Sequence, residues 1–83
     1  MRSLLEEIDE LLSRAKYMQE KHPRTVIASD YWIRVKSACE QARQAQPEVL
    51  KHVIPDESRQ TWAEALICLE SIQKTLQDSK VPQ

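Results

Sequence analysis

Glycine and phenylalanine are both absent from these 83 residues. Glycine supplies the positive-φ positions that tight hairpins and phosphate-cradling loops need, so its absence disfavours a hairpin-rich β fold and a nucleotide-binding loop. Cysteine is scarce as well. Cys39 and Cys68 are too few for a disulfide-stapled scaffold, and both fall on apolar helix faces, which favours a reducing, cytoplasmic setting. No stretch approaches the roughly 18 apolar residues of a membrane span. The N-terminal leucines are interrupted by Glu6, Glu7, Asp9 and Glu10, which excludes the apolar core of a signal peptide. Charge of one sign is also missing: 12 basic residues face 13 acidic ones, a net charge of −1, so no whole-molecule field steers the chain toward nucleic acid or an anionic membrane.

What the chain does have is apolar residues at helical spacing. In the first block Leu4, Leu5, Ile8, Leu11, Leu12, Ala15 and Met18 share one stripe at about 100° per residue, while the acids stand mostly outside it. Ser3 with Glu6 three residues on makes a capping box, and Pro23 ends the helix, so the spacing predicts a helix over about 3–21. Thr25, Val26 and Ile27 read as a linker, with Val26 or Ile27 plugging the bundle end. Ser29 or Asp30 is expected to cap a second helix over about 29–46, whose stripe of Tyr31, Trp32, Val35, Ala38, Cys39, Ala42 and Ala45 thins toward its end. Pro47 suits the first turn of a short helix over about 47–53, or else kinks a continuing second one. Asp56 or Ser58 then caps a third long helix over about 57–78, with Trp62, Ala65, Leu66, Leu69, Ile72 and Leu76 inside and a frayed tail over 79–83. The fold expected is all-α: one domain built as a three-helix antiparallel bundle in up-down-up order, with a short additional helix before the last long one. A chain of this length buries only roughly 60–65% of its surface, so its stability is modest unless packing is good.

Candidate chemistry is thin. The soft metal ligands Cys39, Cys68, His22 and His52 lack the close pairing of a structural zinc site, and neither histidine follows a Glu at the spacing used by bundle metal centres. Serines lie at caps or on helix faces, without the glycine context that exposes a nucleophile. Neither catalysis nor a cofactor is expected. Arg34, Lys36 and Arg43, with Lys21, His22 and Arg24 before them, offer a local basic patch for nucleic acid, but Glu40 interrupts it. Protein binding is the reading that remains. Ile33, Ile67 and Tyr17 point off their helices' apolar stripes, and tryptophan favours interfaces. The expected partner surface is Tyr17, Trp32, Ile33 and Ile67, oriented electrostatically by Arg34, Lys36 and Arg43, and docked on another protein or on a second copy of the chain.

Overall fold

A computed structural model describes residues 3–56 and 58–79, and among these every regular element is helical. Helix α1 spans Leu4–Lys21, α2 Ser29–Ala45, α3 Pro47–Leu50 and α4 Trp62–Ser79. The expected all-helical bundle, with its short helix ahead of the last long one, is therefore present.

Helix α1 is set by local signals. The Ser3 hydroxyl oxygen accepts the Glu6 amide at 3.2 Å and donates to the Glu6 carboxylate, and the His22 amide closes the last turn on Met18 just before Pro23. Its stripe buries Ile8, Leu11, Leu12 and Ala15. Helix α2 differs at its start: its N-cap is Ala28, with no side-chain cap bond, so neither Ser29 nor Asp30 plays that role. Both lie inside the first turn, where Asp30 still favours the positive end of the helix dipole. At Pro47 the chain breaks rather than kinks. Gln46, held out of the α region by the following proline, ends α2 and starts α3, which stops at Leu50 rather than near residue 53. Ile27 is the linker residue that plugs the core, whereas Val26 is exposed.

The last helix starts five residues later than the spacing predicts. Asp56 and Ser58 are spent on a local turn, in which the Ser58 amide and hydroxyl both donate to the Asp56 carboxylate and hold it below the usual carboxylate range. Thr61 caps α4 instead, accepting the Glu64 amide at 3.1 Å. Glu57 and the tail residues 80–83, on which the expected cap region and frayed end partly fall, lie outside the described residues.

The late start has a topological cause. Tyr31 at the beginning of α2 stacks against Trp62 at the beginning of α4, with ring centroids 5.0 Å apart. Gln46 at the end of α2 lines one depression with Thr75 and Asp78 at the end of α4. These two helices thus run side by side in the same direction, not in the up-down-up order expected. Residues 51–61 carry the chain back along the bundle; extended at about 3.3 Å per residue, they reach well past the roughly 25 Å length of α2. Helix α1 opposes both, since the Tyr31 hydroxyl donates to the Leu11 carbonyl at 2.7 Å, Arg34 meets Glu7, and the Gln73 amide donates to Asp9. The first residues of α1, with Ser3 and Leu4, stand beside Ala38 and Gln41, so α2 outruns α1 and its Ala45 lies exposed.

Replacing Thr61 by alanine should cost about 1 kcal/mol in urea denaturation, the usual loss for an N-cap, whereas Ser58→Ala should cost less than half of that. Equal losses would show that α4 nucleates at the Asp56 turn.

Candidate protein-binding surface

The expected surface residues divide sharply by burial. Trp32 is 3% exposed and belongs to the core, so it is withdrawn from the docking surface. Its place on α2 explains this. One hundred degrees from Tyr31, it falls on the edge of the buried stripe and faces away from the α1 contact, while its large ring is drawn in by the area it removes from water. The indole N–H has no acceptor among the described residues, so burial of the ring is favourable despite a desolvated donor. The Trp62 indole is in the same situation.

Tyr17, Ile33 and Ile67 are 57%, 65% and 60% exposed. Each sits near the middle of its helix's outward side: Ile33 about 160° from Val35 and the buried stripe, Ile67 about 160° from Leu69, and Tyr17 about 160° from Ala15. Outward sides of three packed helices diverge. The three side chains are therefore distributed on α1, α2 and α4 and do not converge into one patch. Val49 in α3 and Ile54 beyond it, 59% and 58% exposed, add apolar surface at that corner of the fold. The missed signal was the short reach of α3: only Leu50 of that segment turns fully inward.

The basic residues are similarly split. Arg34 lies on the α1 seam, where its Nη2 is 2.6 Å from a Glu7 oxygen and 3.7 Å from Glu10, and these carboxylates hold its proton more firmly than usual. Arg43 is 3.3 Å from Glu40 on its own helix. Lys36 and Arg43 share the opposite flank of α2, seven residues apart. No single basic face is assembled.

Concavities are shallow and open. One of about 220 Å³ lies between the start of α1 and the middle of α2, floored by Leu4 and Ala38 beneath Arg34 and Gln41; another of about 290 Å³ follows Arg43, Pro47 and Lys51. No family model matches this chain, and no curated protein or solved structure is significantly similar to it. The geometry is left to speak for itself. Among the described residues no three of His, Cys, Asp and Glu gather in a metal-binding group. Cys39 on α2 and Cys68 on α4 are both free thiols covered by the fold. Burial pushes the Cys39 thiol up to about 12, with Cys68 and Glu40 adding to the rise and Arg43 opposing it; burial also raises Cys68. Tyr31 is likewise pushed up to about 12 by burial, against the opposing charges of Arg14 and Arg34.

All three groups keep their protons in the fold at pH values where the unfolded chain releases them. For Cys39 the resulting contribution to stability is complete below the ordinary thiol value of 9.0 and is lost as pH rises toward about 12; Cys68 and Tyr31 act in the same direction. Urea midpoints should fall from pH 9 upward, and Cys39→Ala should make the decline between pH 9 and 10 shallower. An unchanged slope would mean that the thiol is not desolvated.

Proposed function

We propose that this chain is a small non-catalytic module that binds another protein through apolar side chains on its helical exterior, in a reducing, cytoplasmic compartment. The observation that supports the reading is the exposure of Ile33, Ile67 and Tyr17, each on the outward side of a helix that already buries a full stripe elsewhere. A large apolar side chain at the middle of an outward helix face offers a partner area to remove from water. Because these faces diverge, a partner engages one of them at a time. The α2 face is the most open of the three, since Ile33 is 65% exposed against 60% for Ile67 and 57% for Tyr17. An adaptor, an inhibitor and an accessory subunit all operate in this steric way, with a second copy of the chain as one admissible partner.

The alternative, a regulator that binds nucleic acid through α2, is less well supported because Arg34 and Arg43 are already matched with Glu7, Glu10 and Glu40. The two readings separate by salt. Protein docking on Ile33 should respond weakly to ionic strength, whereas phosphate contacts weaken steeply as salt rises.

Ile33→Asp should weaken association at least tenfold while leaving the helical circular dichroism unchanged, measured by sedimentation for self-association and by affinity capture with mass measurement for a foreign partner. Ile67→Asp and Tyr17→Asp test the other two faces. If all three variants associate like the parent chain, the proposal falls; a steep salt response lost on Lys36→Ala would replace it with the nucleic-acid reading.

A further inference from the structure

The first half of α4 is apolar on almost every side. Of the eight residues from Trp62 to Leu69 only Glu64 is polar. A helix that is apolar all round is ordinarily covered all round. The bundle covers part of this stretch: Trp62, Ala65, Cys68 and Leu69 are buried and Leu66 is partly so, whereas Ala63 and Ile67 stay exposed. These two begin a seam. Ala63, Ile67, Glu70, Lys74 and Gln77 follow one another at steps of four, three, four and three residues, all of them exposed. At 100° per residue they lie within about 40° of one line, which runs along α4 opposite its buried face. The charges on that line are unspent. Arg34 and Arg43 each meet a carboxylate, but neither Glu70 nor Lys74 has an ion-pair partner among the described residues.

Those charges select what can lie on the seam. A second α4 running in the same direction and in register would set Glu70 against Glu70 and Lys74 against Lys74, and like charges at facing positions repel. Running in the opposite direction, with a twofold axis at the level of Ile72, it sets each Glu70 against Lys74 of the other copy. The same register lays Ile67 on the aliphatic parts of Gln77 and Lys74 of that copy. One stripe thus serves both molecules.

We propose that this chain pairs with a second copy of itself through an antiparallel α4–α4 contact, in which Ile67 is covered and Glu70 and Lys74 bridge the two copies twice. The pairing rests on the reading of exterior apolar residues as contacts, and it assigns the α4 face to a second copy. Five side chains from each molecule fall well short of the about 20–30 per side of a standard interface, so the dimer is weak and forms by mass action.

Sedimentation equilibrium of the full chain in low-salt buffer, from about 10 µM to about 1 mM, tests it. The parent chain should be monomeric at the low end and dimeric at the high end. Ile67→Asp, Glu70→Lys and Lys74→Glu should each weaken association at least tenfold, with helical circular dichroism unchanged. An equimolar mixture of the Glu70→Lys and Lys74→Glu chains should recover the dimer, because every facing pair is again of opposite sign. A parent chain that stays monomeric at about 1 mM overturns the pairing, while capture of a foreign partner still decides the broader protein-binding reading. Charge reversals that leave association unchanged, or a mixture that does not recover it, overturn the pairing as well.

Discussion

Burial of the α1 stripe is the constraint on which the rest of the molecule depends. Ile8, Leu11, Leu12 and Ala15 are almost wholly removed from water, and they are covered by two helices that come from opposite parts of the later sequence. Helix α4 supplies the broader cover through Ala65, Leu69, Ile72 and Leu76, all in the same core as the α1 stripe. Helix α2 supplies the rest and adds a buried directional bond between helices, from the Tyr31 hydroxyl to the Leu11 carbonyl. Apolar area of this kind contributes about 25 cal/mol per Å² and has no preferred direction, so it holds the helices together without selecting their order. The tyrosine bond and the polar pairs at the seams add that selection.

Those polar pairs sit where α1 meets its neighbours. Glu7 and Glu10 face Arg34 across one seam and Asp9 faces Gln73 across the other. Each is solvent-accessible and contributes at most about 1 kcal/mol, yet together they penalise any sliding of α1 by a turn. They also consume charge that would otherwise look available to a ligand. Arg34 is an internal fastener of the bundle.

The return of the chain over residues 51–61 shapes the other consequences. It places α4 parallel to α2 and aligns Trp62 with Tyr31. Had α4 followed α3 directly and run upward, the same stripes would still be buried, but Trp62 would lie near Gln46 and Tyr31 would face different residues. A parallel pair of helices needs a long connection, and the proline at 55 and the Asp56 turn keep this segment from being drawn into either neighbouring helix.

Much of this was legible from residue spacing. The 3.6-residue period places the buried stripe of each long helix, and the Ser3–Glu6 box and Pro23 mark the limits of α1, because these signals act within a turn or two of chain. Thr61 caps α4 by accepting the Glu64 amide, but Asp56 and Ser58 offered competing caps earlier in the chain, and only the path of the returning segment decided between them. The candidate surface was half legible. A helical wheel shows that Ile33, Ile67 and Tyr17 leave their stripes, yet it cannot show that Trp32 at a stripe's edge is covered by a neighbour, or that three outward faces diverge. The sequence by itself determined that there would be amphipathic helices and which side of each is wet, since local hydrogen bonding and periodic hydrophobicity operate within a segment. Helix direction and the burial of Trp32 were decided only by tertiary structure, because they depend on which segments share one limited volume.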